Sequence, residues 1–256
     1  YATDLHAKEA VKFIKETRDP DRPFFMYVPF LSPHAPMQAP IELENKYESR
    51  TNKPFPKRTY AAMVDSLDQA VGNILQSLEE ESLENNTLVF FFSDNGGLKA
   101  FGADNSPLRG GKLETFEGGI RVNALMRWPD RITAGSHTNN VVSVLDVYPT
   151  LSDLVNIPML NKKPLDGKSR VDTIVSSVED PRNGDLYFAS NSPIFNKYHV
   201  AVLEKKWKFV QIIDHKSQST DVENYLFDII SDPREEENLS EKYPLRVHNM
   251  AEKIRK

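Results

Sequence analysis

The sequence predicts an α/β fold followed by a smaller antiparallel α+β subdomain. Three observations point there. Helix-like and strand-like segments alternate over the first part of the chain, the clearest strand is wholly apolar, and short strand-like runs follow one another beyond Gly167. A wholly apolar strand belongs to a sheet covered on both faces, and alternation with helices implies parallel strands joined by crossover helices. The 256 residues are 39% hydrophobic and 27% charged, a globular balance with room for one large domain or two unequal ones.

In chain order, a short amphipathic helix is expected from Asp4 to Thr17, stopped at Asp19-Pro20 because proline lacks the N–H that a helix needs. Arg22 to Leu31, with the run Phe24-Phe25-Met26-Tyr27-Val28, reads as a buried strand. Pro29, Pro33, Pro36 and Pro40 then mark a loop. Between Thr59 and Leu78, Tyr60, Met63, Val64, Leu67, Val71, Ile74, Leu75 and Leu78 form a helical stripe. A turn at Asn85-Asn86 leads into a strand from Thr87 to Phe92, and another strand is expected from Ile120 to Trp128, with a helix around Val144 to Val155. Past Asp166-Gly167 the strand candidates are Leu186 to Ala189, Tyr198 to Leu203, Lys206 to Ile213 and Tyr225 to Ile230, closed by a helix from Pro244 to Ile254. The division is placed at Lys168, giving 1–168 as part of a large catalytic domain and 169–256 as a small subdomain.

Composition excludes several function classes. With 32 Lys and Arg against 37 Asp and Glu, the net charge is −5, which argues against a dedicated nucleic-acid binder. No apolar run is long enough to span a bilayer. Cys is absent, so disulfides, Cys-ligated zinc and a cysteine nucleophile from this chain are excluded. The chain opens with Tyr1-Ala2 and helical periodicity starts at once, from which a longer parent polypeptide is expected.

Three segments can carry chemistry. Ser93-Asp94-Asn95-Gly96-Gly97 follows the apolar strand, where α/β folds gather their ligands. Asp94 and Asn95 offer the hard oxygen donors that Ca²⁺ or Mg²⁺ prefers, yet the same residues also make an ordinary turn. Ser106-Pro107-Leu108-Arg109-Gly110-Gly111-Lys112, with Glu117-Gly118-Gly119 after it, suits an oxyanion but equally a solvated loop. His34, held between Pro33 and Pro36, could donate to an anionic substrate or simply lie on the surface. His6, His137, His199, His215 and His248 share no ligand spacing, and no Gly-x-Ser-x-Gly, phosphate-binding loop or His-Glu-x-x-His motif occurs.

Taken together these segments resemble the sulfatase family. The resemblance runs from Tyr60-Ala61-Ala62-Met63-Val64-Asp65-Ser66-Leu67-Asp68 and Val71-Gly72-Asn73-Ile74-Leu75 through Ser93–Gly97 to Pro107–Lys112 and Glu117-Gly118-Gly119-Ile120-Arg121-Val122. It continues with Asp146-Val147-Tyr148-Pro149-Thr150-Leu151, Leu165-Asp166-Gly167, Tyr225-Leu226-Phe227-Asp228, Asp232-Pro233, Glu236, Asn238 and Leu239. It implies part of an alkaline-phosphatase-like α/β/α sandwich and hydrolysis of aryl or carbohydrate sulfate esters at a Ca²⁺ site. By motif, Asp94 and Asn95 match calcium ligands, Lys112 and His34 match catalytic, sulfate-binding residues, and Arg109 matches a loop-shaping residue. The formylglycine motif Cys/Ser-x-Pro-x-Arg, two further Asp ligands, a Lys and a His have no counterpart in this chain. They would lie in an N-terminal half, the implied partner, and this chain alone should be inactive. A non-catalytic relative that binds sulfated glycans or another partner, and a phosphoester hydrolase of the same superfamily, are the alternatives. The sequons at Asn85 and Asn238 suggest a glycoprotein of the secretory or lysosomal route.

Overall fold

The computed structural model describes residues 1–48, 56–159, 163–175, 182, 184–192, 196–214 and 222–255. His215 lies outside them. They form two compact units. The first comprises Tyr1–Val89, Leu98–Asp104 and Trp128–Asp130, the second Phe90–Gly97, Asn105–Arg127 and Arg131–Lys256.

The first unit is helical. α1 (Ala2–Lys12) runs on as a π turn through Phe13–Thr17, and the Arg18 guanidinium caps it by donating to the Ile14 carbonyl at 2.8 Å. α2 is Ile41–Glu48 and α3 is Lys57–Glu80. α1 buries Thr3, Ala7 and Ala10, and α3 answers with Ala62, Met63, Ser66, Ala70, Ser77 and Leu78. The buried face of α3 is therefore made largely of small residues that let the helices approach closely, while Val64, expected in the apolar stripe, is exposed. Ion pairs fasten the elements: Lys15 to Glu80, Arg18 to Glu81 at 3.5 Å and Lys46 to Asp65 at 2.6 Å.

The buried strand expected at Arg22 to Leu31 is not one. Among the described residues the segment joins neither sheet, and Phe25 and Tyr27 are 74% and 75% exposed. An apolar run specifies only an extended, pleated chain, and a strand also needs a neighbour to receive its N–H and C=O groups.

In the second unit β1 (Val89–Phe92) pairs with β2 (Ala124–Arg127), and α4 (Glu117–Ile120) lies between them in sequence. β1 is half-buried with Phe91 exposed, not the fully covered strand its composition suggested. β2 begins later than expected because Ile120 ends α4. α5 (Val147–Leu154) follows a 3₁₀ turn whose Ser143 forms a capping box with Asp146, and α6 is Val171–Val175.

Four strands, β3 (Leu186–Ser192), β4 (Lys197–Glu204), β5 (Trp207–Asp214) and β6 (Val222–Asp228), make an antiparallel meander in that order, followed by α7 (Pro244–Arg255). Register places Phe209 opposite Val202 and Leu226, and Lys208 opposite Leu203 and Phe227. Alternation sends Val202, Phe209 and Leu226 to one face, where Met250 and Val247 of α7 cover them. Ala201, Leu203, Val210, Ile212 and Phe227 go to the other, against Phe116. Coverage on both sides explains the unbroken apolar runs of β4 and β5.

Asp146, fully buried, accepts from Arg182 Nη1 at 2.6 Å and from the N–H groups of Ser143 at 2.8 Å and Lys168 at 2.9 Å, with Arg170 Nε at 3.6 Å. Burial alone would raise this carboxyl. The Arg182 guanidinium and the two backbone donors outweigh it and hold the group below the usual carboxylate range. Asp146–Leu151 is thus tied to the residues that follow Leu165–Gly167, through the Asp146 carboxylate and through Thr150 Oγ1, which accepts from Arg170 N–H at 3.0 Å.

Candidate functional site

The loop after β1 and the loop leading into α4 are joined backbone to backbone. Gly96 N–H donates to the Gly119 carbonyl at 2.9 Å, Lys112 N–H to the Gly97 carbonyl at 3.2 Å, and Gly118 N–H to the Arg109 carbonyl at 2.7 Å. Asn105 completes the junction as a substitute peptide: its Oδ1 accepts from Gly97 N–H at 2.9 Å, and its Nδ2 donates to the carbonyls of Gly97 at 2.8 Å and Gly110 at 3.2 Å. The glycines serve this approach. A Cβ on Gly96 would stand 1.8 Å from the Gly118 carbonyl oxygen, and one on Gly118 would stand 2.5 Å from that of Arg109. At Gly96 the close neighbour is thus the other loop.

This junction brings Asp94, Asn95 and Lys112 onto adjoining turns. Asp94 is exposed, and Asn95 and Lys112 are half-buried. Among the described residues neither the Asp94 carboxylate nor the Lys112 ammonium has a hydrogen-bond or ion-pair partner. Asn95 Nδ2 donates to the Gly96 carbonyl at 2.9 Å, so its Oδ1 is the atom left to accept. The donor set at this turn is therefore all oxygen, which fits a hard cation such as Ca²⁺. No three His, Asp or Glu side chains converge among the described residues, so the pair would supply only part of a coordination sphere.

The Arg109 guanidinium packs on aromatic rings. It lies 4.1 Å from the Phe116 ring centroid and 4.9 Å from that of Tyr225, and Nη1 donates to the Glu235 carbonyl at 3.2 Å. His34 belongs to the first unit and is exposed. Its Nδ1 is hydrogen-bonded to the Ala35 carbonyl at 2.7 Å, so Nδ1 carries a proton. Of the sequons, Asn85 is exposed in a short 3₁₀ turn. The Asn238 amide is already engaged, with Oδ1 accepting from Leu226 N–H at 3.0 Å and Nδ2 donating to the Asn224 carbonyl at 3.2 Å.

Sequence reasoning missed the charges beneath this loop. Lys208 is fully buried, with Nζ 2.8 Å from Glu117 Oε1 and 2.9 Å from Glu235 Oε1. Glu117 N–H donates to Glu235 Oε2 at 2.7 Å. Burial pushes the Glu235 carboxyl above its ordinary range, against the pull of Lys208 and the Glu117 N–H. The acid singled out by resemblance, Glu236, is exposed instead; its neighbour Glu235 is the buried one. A lone lysine within the apolar run of β5 was the signal that could have revealed the cluster.

Comparisons with known proteins bear on the family and the fold. The Sulfatase family model matches residues 1–157, and the model of the C-terminal part of N-sulphoglucosamine sulphohydrolase matches residues 112–256. A sulfatase of Formosa agariphila is 36% identical over 199 residues, covering 72% of this chain and 36% of that protein. Mouse arylsulfatase J is 34% identical over 197 residues, covering 77% and 32%. The crystal structure of Ps i-CgsB in complex with k-i-k-neocarrahexaose superposes with a TM-score of 0.87 at 30% identity, covering all of this chain and 54% of that one. The chain thus spans about a third of the length of these curated relatives and about half of that structure. The architecture is the alkaline-phosphatase-like fold of sulfatases, with an antiparallel sheet toward the C-terminus. No helix among the described residues is long and apolar enough to cross a membrane. With both halves of its length matched by sulfatase models, and its two motif loops joined around Asn105, this chain belongs to the sulfatase family.

Proposed function

We propose that this chain carries the C-terminal share of a sulfuric ester hydrolase site acting on aryl or carbohydrate sulfate esters. The carrying observation is the loop junction, which presents from adjoining turns a carboxylate and an ammonium without partners among the described residues, and an amide oxygen. Asp94 and Asn95 Oδ1 would hold a calcium ion. Lys112 would hold the sulfate oxygens and oppose the charge that grows on them as the ester bond breaks. The resemblance alone gives His34 a sulfate contact, which Nε2 could make as a donor only in the doubly protonated ring, since Nδ1 already donates to the Ala35 carbonyl. Calcium and formylglycine, when present, supply charge neutralisation and a hydrated-aldehyde nucleophile. The nucleophile and the remaining metal ligands come from residues outside these 256, so the chain by itself does not turn over. The sugar ligand of Ps i-CgsB favours a carbohydrate ester. The same reading treats 169–256 as a small subdomain and assigns a secretory or lysosomal route, with Asn85 as its glycan position.

The test is Lys112→Ala in the full-length protein, assayed on an aryl sulfate and an aryl phosphate. Loss of one preorganised donor of this kind lowers kcat by roughly 10²–10³, and the sulfate should be the better substrate. A loss under about threefold, far below that range, or a preference for phosphate, overturns the reading.

A further inference from the structure

We propose that Lys208, in the C-terminal sheet, is a positioning residue for Lys112, acting through Glu117 and Glu235. The inference rests on the reading of Lys112 as the sulfate contact. Lys208 shares a sheet face with Val210, Ile212 and Phe227, the face packed against Phe116. Its ammonium bridges the side chain of Glu117, the first residue of α4, and that of Glu235, which in turn accepts the Glu117 N–H. Arg121 lies 3.5 Å from the second Glu117 oxygen, so two carboxylates face two cations.

The segment bearing Lys112 is tied to the sheet on both sides of it. Arg109 stacks on Phe116 and Tyr225 and donates to the Glu235 carbonyl. The Leu113 carbonyl accepts from Ser190 Oγ of β3 at 2.9 Å. Glu117 is held by Lys208 and Glu235. Lys112 itself has only its backbone bond to Gly97. A buried ion cluster is a poor device for stability, since apolar residues of the same volume usually do as well. What such a cluster supplies is a single geometry, because each charge must meet its partner. Here the geometry it selects is that of the loop entering α4, and through it the place of the Lys112 ammonium.

Lys208→Met alone would strand two buried carboxylates and risks unfolding. The decisive variant is Lys208→Met/Glu117→Gln/Glu235→Gln, which removes the charges together and keeps their shapes. In the full-length protein, hydrogen exchange at the Lys112, Gly118 and Gly119 amides should quicken roughly tenfold or more, while the β4–β5 ladder amides stay protected. With an aryl sulfate, kcat should fall by about 10²-fold with a much smaller change in KM. Loop exchange equal to that of the unaltered protein overturns the proposal. So does an equal quickening in the ladder, or selective loop exchange with unchanged kcat. If the unaltered protein does not hydrolyse sulfate esters, the functional reading fails instead, and exchange alone decides whether Lys208 holds the loop.

Discussion

Asp146→Asn tests the buried charge node most directly, because it removes one charge and almost no volume. The two guanidiniums facing it, Arg182 at 2.6 Å and Arg170 at 3.6 Å, have side chains only 6% and 2% exposed. Water cannot replace the lost carboxylate, so the substitution strands the buried Arg182 charge, which costs about 3–5 kcal/mol. The asparagine also presents an NH₂ where one of the donors, Ser143 N–H, Lys168 N–H or Arg182, now points at an oxygen. In urea titrations followed by circular dichroism, with a slope of roughly 2 kcal/mol/M, the midpoint should fall by about 1.5–2.5 M. Adding Arg182→Met should recover part of the loss, a coupling of about 0.5–3 kcal/mol. The sign with pH follows from the lowered carboxyl. Its contribution is complete above the ordinary value of 3.8 and disappears as pH falls through the lower folded value, so variant and parent should converge in strong acid. A midpoint shift under about 0.3 M at neutral pH, against the slope above, would show that the arginines have other compensation.

Three further outcomes follow from the same packing. Asp94→Ala should weaken calcium binding in the full-length protein by calorimetry, since the site loses its charged ligand, and unchanged affinity would remove Asp94 from the metal. Phe209→Ala, at a fully buried position between β4 and β6, should cost about 3–5 kcal/mol in a denaturant titration, with a cost below about 1 kcal/mol contradicting that burial. Glu235, whose carboxyl is raised above 4.5, destabilises progressively as pH rises from 4.5 through its folded value. Glu235→Gln should therefore flatten the melting temperature over that window, and an unchanged slope would assign it to another group.

Much of the helical layer and the C-terminal sheet was legible because periodicity reports which residues face a core. Thr59 to Leu78 lies within α3, and the four late strand candidates correspond to β3 to β6. Periodicity could not say that α3 would bury Ala62, Ser66 and Ala70 and leave Val64 exposed, since that depends on how closely α1 approaches. The run at Phe24 to Val28 was misleading for a related reason: apolarity is a local property, and strand pairing is not. At the candidate site, motif order singled out Asp94, Asn95 and Lys112 and gave Arg109 a loop-shaping part, but not the Phe116 and Tyr225 rings on which its guanidinium packs.

The sequence by itself determined the family, the long helix α3 and the strands and closing helix of the C-terminal part, because these are written in local pattern and motif spacing. The tertiary structure alone decided which charges are buried together: Lys208 with Glu117 and Glu235, and Asp146 with Arg170 and Arg182. The cost or benefit of an ion pair depends on the water removed from it, and a linear chain carries no record of where its water will be.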